Sequence, residues 1–456
     1  MTDEATSGGG PDADLTMGIA RFDAARWRAA TPIRLVAGAE AGAARLDAPA
    51  GFEGAIGQVL ATGDEVLVGA GDGSEPLALG AASAALAGAD YRMAESLSYA
   101  DALGFALGAY RYDRYKAMAP APVLVLPEEF PEEDAARLAR DAEAARLARD
   151  MVNTPAEDMG PGDIGAMVRA VGDAFGARVD TVEGRALDEG FPLVHAVGRA
   201  AATPPRLFDL RWGDEGPAVT LVGKGVCFDS GGLNIKGAKG MGLMKKDMGG
   251  AANALALTRT IMAAGLRCRL RLLIPAVENA IAGNAFRPGD VFRSRQGQTV
   301  EISNTDAEGR LILADALAYA AEEAPDRIVS LATLTGAARV ALGPDLPPIY
   351  GTDDAFTQAV RAAGQRAADP VWPMPLHPRY MGFLSSDIAD VNHAAETPFA
   401  GSITAALFLT RFVGDVPYAH LDIYAWTPSA RPGRPKGGEC MGVRALMGAL
   451  EAECAA

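Results

Sequence analysis

Asp306, Glu308 and Arg310 stand together in the stretch Ser303-Asn304-Thr305-Asp306-Ala307-Glu308-Gly309-Arg310-Leu311. Alternate side chains of a loop can be aimed at one point, and carboxylates aimed that way bind a cation or move a proton. Two upstream segments carry similar groups. Lys224 and Asp229 lie among the glycines of Lys224-Gly-Val-Cys-Phe-Asp-Ser-Gly-Gly232, and Lys236 follows them. Asp247 lies in Gly242-Leu-Met-Lys-Lys-Asp-Met-Gly-Gly250. Taken singly, each acid reads equally well as a helix cap or a solvated surface charge. Taken together, Asp229, Asp247, Asp306 and Glu308 would make four carboxylates in one pocket. Such a group repels itself and raises its own pKa values unless cations are bound, and a pair of divalent ions resolves the repulsion.

The rest of the composition agrees with oxygen ligation. The four histidines, His195, His377, His393 and His420, form neither HExxH nor HxH, so carboxylates must do most of any metal binding. The four cysteines, Cys227, Cys268, Cys440 and Cys454, make no CxxC pair and read as free thiols of a reducing compartment.

The elements that must position these residues can be read locally. Gln298 to Ile302 alternates and is β-branched, which predicts a strand. Arg310 to Glu323 is Ala/Leu-rich with helical spacing. Asp306 and Glu308 thus fall where a strand hands over to a helix, the place where open α/β sheets collect their sites. The buried strand Ala218 to Gly223 leads into Lys224, and Asp247 falls near the start of a helix over 251–264. Further strands are predicted at 178–182, 207–211, 268–274, 327–332 and 420–423, with a helix over 164–175. This alternation predicts an α/β fold with a mixed, mainly parallel sheet between helices.

At 456 residues the chain exceeds one ordinary core, so two domains are expected. Residues 1–14, acidic and glycine-rich, read as a disordered tail. Residues 15–155 read as a small N-terminal α/β domain closing in a linking helix at about 131–153, stopped by Thr154-Pro155. Residues 156–456 read as the larger catalytic domain. Net charge of −16 argues against nucleic-acid or anionic-membrane binding. No apolar run reaches transmembrane length and the N-terminus has no apolar signal core, so a cytoplasmic protein is expected.

Asn304-Thr-Asp-Ala-Glu-Gly-Arg310, with Gly223-Lys-Gly-Val-Cys-Phe-Asp-Ser-Gly-Gly232 and the Lys236 and Asp247 stretches upstream, resembles the leucyl (cytosol) aminopeptidase family. Asn153-Thr-Pro155, Ala332-Thr-Leu-Thr-Gly336 and Ala419-His-Leu-Asp-Ile423 agree with it. The resemblance runs from about residue 153 to the C-terminus and is weak before that. It implies a dinuclear metallo-aminopeptidase that releases N-terminal, Leu-like residues from peptides. Its tighter metal site would use Lys224, Asp229, Asp247 and Glu308. Its more exchangeable site would use Asp229, Asp306 and Glu308. Zinc or manganese is expected, with magnesium or cobalt as alternatives. Lys236 would polarise the scissile carbonyl, and Arg310 would hold a bicarbonate that serves as general base. Met244, Thr333, Leu334 and Gly336 match substrate-contacting positions. The family's hexamer, a dimer of trimers, would carry over as well.

One segment departs from the pattern. After His420-Leu-Asp-Ile423 most relatives continue with Ala-Gly, whereas this chain has Tyr424-Ala-Trp426. That puts the residue preference in question. Two rival readings exist: a binding protein holding peptide or nucleic acid on the same fold, which the acidic balance disfavours, and a two-metal phosphoesterase.

Overall fold

The computed structural model describes residues 17–38 and 51–455; the predicted tail over 1–14 lies outside them. By contacts the chain divides into two compact units, 1–146 with 429–436, and 147–428 with 437–456.

The first unit is built on a six-stranded sheet. Its strands follow the order Ile19–Ala20, Val123–Val125, Asp90–Met93, Thr31–Ala37, Val66–Gly71 and Val59–Ala61. All pair in parallel except the last, which joins by an antiparallel contact. The helix Tyr99–Gly108 starts with a capping box in which Ser98 and Asp101 satisfy each other's backbone N–H. Glycines bring it close to the helix Gly80–Ala85: a β-carbon on Gly108 would stand 2.3 Å from the Gly80 carbonyl oxygen. The helix Glu132–Asn153 opens on three acids, Glu132, Glu133 and Asp134, which complement the positive end of its dipole.

The second unit holds a nine-stranded mixed sheet. At its centre Tyr418–Asp422, Arg327–Ala332, Ala218–Gly223 and Arg269–Asn279 run parallel. Pro348–Gly351 on one side and Arg206–Trp212 on the other are antiparallel to them. The core strands are buried and largely apolar because helices cover them. Gly249–Ala263 and Glu308–Ala321 are buried along most of their length. A glycine fits Gly249–Ala263 onto the sheet, since a β-carbon on Gly250 would meet the Leu331 carbonyl oxygen at 2.2 Å.

Two differences from the sequence expectation bear on the site. Residues beyond Lys224 form a further strand, Gly225–Asp229, rather than a loop leading to a helix. It pairs with the same neighbour as Ala218–Gly223: Val222 faces Leu273, and Gly225 resumes opposite Ala276. Lys224 therefore occupies an interruption in one long strand edge, flanked by glycines too small to restrict the bend. Second, Glu308 does not follow a loop directly. A short 3-10 turn, Thr305–Ala307, is capped by the Asn304 side chain on the Asp306 N–H and feeds Glu308 into its helix.

Candidate active site

The carboxyl ends of the parallel strands converge on one pocket with a cavity of about 60 Å³. Its lining includes Lys224, Asp229, Lys236, Asp247, Asp306, Glu308 and Arg310, and also Met244, Thr333, Leu334 and Gly336. Every site residue expected from the sequence is thus brought to the same place, from four separate chain segments.

Ionic contacts organise the floor. Lys224 Nζ lies 2.7 Å from Asp247 Oδ2 and 3.0 Å from Glu308 Oε1, and it donates to the Thr333 carbonyl at 2.9 Å. Lys236 Nζ lies 2.7 Å from Asp229 Oδ2 and also pairs with Asp306. Oxygens of Asp229, Asp306 and Glu308 gather within 4.8 Å of one another. Glycine makes room for this packing, because a β-carbon on Gly309 would meet Lys224 Cε at 2.5 Å.

Neighbours that the motif reading did not single out hold the ligand-type residues in place. Asn279 Nδ2 donates to Asp229 Oδ1 at 2.8 Å and to the Thr305 carbonyl at 3.0 Å. His393 sets its Nε2 2.8 Å from the Asn304 carbonyl and its Nδ1 3.1 Å from that of Glu301, fixing both ends of the entering loop. Asp422 accepts from the N–H groups of Leu334 and Thr335 and from the Thr335 hydroxyl, which fixes the loop after Ala332. These residues lie far away in sequence, so no local spacing marks them.

Electrostatics show what the cluster lacks. Burial and the charge of Asp229 push the Glu308 carboxyl up to about 8. Burial also raises Asp229, with Asp247 adding to the effect. Burial opposes the charge on Asp247, but Lys224 and Lys246 outweigh it and hold Asp247 below its ordinary value. Burial likewise opposes the charge on Lys224, yet Asp247, Glu308 and Asp229 hold its ammonium above the usual lysine range. The four carboxylates are paired with only two of the pocket's basic groups, Lys224 and Lys236. Glu308 Oε2 is buried without a hydrogen-bond partner. A donor set dominated by carboxylates, with one buried carboxylate oxygen left free, fits divalent cations.

Arg310 is buried, only 8% exposed. Its Nη1 donates to the His393 carbonyl at 2.9 Å, while its Nε has no partner. It makes no ion pair among the described residues, and burial lowers it to about 10. A guanidinium lodged on a pocket wall without a counter-ion is suited to an anion.

Residues 146–447 match the model of the cytosol aminopeptidase family, catalytic domain. The chain belongs to the cytosol aminopeptidase family. A "Probable cytosol aminopeptidase" of Roseiflexus castenholzii is 41% identical over 375 residues, 78% of this chain and 76% of that protein. One of the same name from Nocardia farcinica is 38% identical over 433 residues, 89% of this chain and 84% of that protein. Among solved structures, the cytosol aminopeptidase of Coxiella burnetii superposes with a TM-score of 0.89 at 43% identity, covering 96% of this chain and 99% of the other. The bottromycin maturation enzyme BotP, in complex with Mn, superposes with a TM-score of 0.84 at 36% identity, covering 92% and 99%. The chain is accordingly a hydrolase of the aminopeptidase class, in a metal-dependent family. Among the described residues no helix is long and apolar enough to cross a membrane.

Proposed function

We propose that the protein is a two-metal aminopeptidase acting on the N-terminal peptide bond, with Lys224, Asp229, Asp247, Asp306 and Glu308 as the metal-holding residues. The observation that carries this reading is the convergence of these five side chains in one pocket with a buried carboxylate oxygen, Glu308 Oε2, left unpartnered. When bound, a metal pair lowers the pKa of water and stabilises developing oxyanion charge. Manganese has the support of the BotP complex; zinc suits the same donors, as do magnesium and cobalt.

The chain's own residues divide the remaining work. Lys236 enters the pocket as a cation, since Asp229 and Asp306 outweigh the effect of its burial and hold it above the ordinary lysine value. A fixed positive charge there polarises the scissile carbonyl and is already oriented when charge develops on its oxygen. Arg310, with its unpartnered Nε, would hold bicarbonate as general base. The Leu334 carbonyl and Gly336 border the substrate, and Asp422 keeps their loop in place. Anionic side chains in this pocket attract the positive α-amine, which supports cleavage at N-termini. Met244, the Thr333 methyl and the bare backbone of Gly336 favour a Leu-like side chain. Lys246 and Arg339 in the same lining favour a polar one. A cytoplasmic hexamer, a dimer of trimers, belongs to the same reading and rests on the family resemblance alone.

The test is metal content per chain measured beside hydrolysis of a panel of aminoacyl anilides, with and without chelator. Activity should need metal and a free α-amine. An Asp306→Asn protein should lose both metal and hydrolysis. If that variant kept full activity, or if the loaded enzyme cleaved phosphodiesters and no aminoacyl anilide, the reading would fail.

A further inference from the structure

Lys246 is an anomaly in the pocket wall. It is 2% exposed, yet no hydrogen bond or ion pair engages its ammonium among the described residues. Its sequence neighbour Lys245, by contrast, donates to the Asn153 carbonyl. The Lys246 Nζ stands 5.2 Å from the ring centre of Tyr424. On the same ring, 4.6 Å from its centre, lies the guanidinium carbon of Arg339. Both cations line the pocket.

The two cations share the pocket wall with Met244 and Gly336, which the proposed function places beside the substrate. Lys246 shares the turn Met244–Met248 with Met244. The Nη2 of Arg339 is 3.6 Å from the place a β-carbon on Gly336 would take. Nearby anions are already committed. Asp247 is held by Lys224 and by the Thr333 hydroxyl at 2.8 Å, and the oxygens of Asp422 accept from Leu334 and Thr335. Arg339 spends its Nη1 on the Thr335 carbonyl and forms no ion pair among the described residues. An aromatic ring attracts nearby cations, but it cannot neutralise them. Asp247 and Asp422 favour the Lys246 charge from a distance but form no ion pair with it, and a carboxylate arriving with the substrate would give the two cations a direct partner.

We propose that this pocket selects peptides whose N-terminal residue carries a carboxylate side chain, glutamate or aspartate, with Lys246 and Arg339 as the carboxylate's partners and Tyr424 as the residue that positions them. This rests on the aminopeptidase reading. It also overrides the Leu-like preference suggested by Met244, because an apolar side chain would leave both cations desolvated and unpaired. A site built around a charged partner rejects the analogue lacking it more strongly than an apolar pocket rejects a polar isostere.

The experiment compares kcat/KM of the metal-loaded, full-length enzyme for Glu-, Asp-, Leu- and Lys-p-nitroanilide. These substrates have no free α-carboxylate, so a preference for Glu reports the side chain and not a peptide's C-terminus. The parent should prefer Glu over Leu by about tenfold or more. Lys246→Met should lower the Glu value by about thirtyfold or more and raise the Leu value, inverting the ratio. Tyr424→Leu should shrink the ratio while hydrolysis persists. A parent that favours Leu tenfold, or a Lys246→Met protein that loses Glu and Leu activity equally, overturns the proposal. If no anilide were cleaved at all, the aminopeptidase reading would fall. Calorimetry with L-glutamate and L-leucine would then still read the pocket, and tighter binding of leucine would overturn the acidic preference by itself.

Discussion

Asn279 holds Asp229 by a single amide nitrogen that also reaches the carbonyl of Thr305, so one side chain ties two ligand-bearing segments together. The remaining Asn279 oxygen is buried and unpartnered. Groups that orient ligands in this way are worth roughly 10- to 100-fold in metal affinity. Asn279→Ala is therefore expected to weaken metal binding by that factor while the fold survives. Metal titration followed by calorimetry reads it, and affinity equal to the parent's would contradict the orienting role.

Gly309 offers a cleaner separation of site from stability. Alanine there is a better helix residue by up to about 1 kcal/mol, but its β-carbon would press on Lys224 at Cε, Cδ and Nζ, all within 2.8 Å. The lysine is the flexible partner, so it moves and the helix stays. Gly309→Ala should keep a Tm within a few degrees of the parent and lose at least about tenfold in activity, the scale set by small misplacements in an active site. A fully active variant would show that the Lys224 position is not critical.

Asp315 lies away from the pocket and makes a stability prediction. It is fully buried and accepts from the N–H groups of Leu193, Val194 and Arg295, at 2.7, 3.4 and 2.8 Å. Removing it strands buried donors, each costing about 1–3 kcal/mol. Asp315→Ala should lower stability by about 3 kcal/mol or more in urea titrations. A change below about 1 kcal/mol would mean that solvent reaches those donors.

Burial of His420 gives the fold a contribution to stability that is lost in acid. Burial drives His420 down to about 3, although its Nδ1 contacts the Ser330 hydroxyl at 2.8 Å. In the unfolded chain it titrates near 6.5. Between those values the unfolded state binds the additional proton, so stability is complete above about pH 6.5 and falls on acidification toward 3. The slope is at most about 1.4 kcal/mol per pH unit for the group. Glu308 and Asp315, both raised by burial, act in the opposite sense. The difference between parent and His420→Asn isolates the histidine. Urea midpoints at pH 7.5, 6 and 5 should converge for the two proteins as pH falls, and parallel curves would refute the assignment.

The sequence exposed what depends on residue type and short spacing. The pair Asp306 and Glu308, the glycine-flanked Lys224 and Asp229, and the strand–helix alternation around them all lie within a few residues of their signals. What it hid depends on distance along the chain. Asn279 meets Asp229 across the sheet and His393 meets Asn304 from another segment, neither with a local pattern; Asp422 and Thr335 stand in stretches that agree with the family, but their contact did not show. The strand Gly225–Asp229 was hidden because Gly225 at its start and Gly231 and Gly232 beyond its end read as turns, while its pairing is set by the strand Arg269–Asn279 beside it. The Tyr424 departure was visible as an odd residue. Its two cations, Lys246 and Arg339, became partners only in three dimensions.

The segment 429–436, counted with the first unit, carries a consequence for biosynthesis. Gly433 packs so tightly against the helix Gly80–Ala85 that a β-carbon on Gly80 would stand 2.1 Å from the Gly433 nitrogen. A chain emerging from the ribosome thus exposes that helix face until almost everything downstream has been translated. Nascent domains generally fold as units in the order they emerge, and here the earliest unit must wait for one of the latest segments. A fragment ending shortly after the helix Glu132–Asn153 would carry an uncovered seam, and supplying 429–436 as a separate peptide is the direct way to close it.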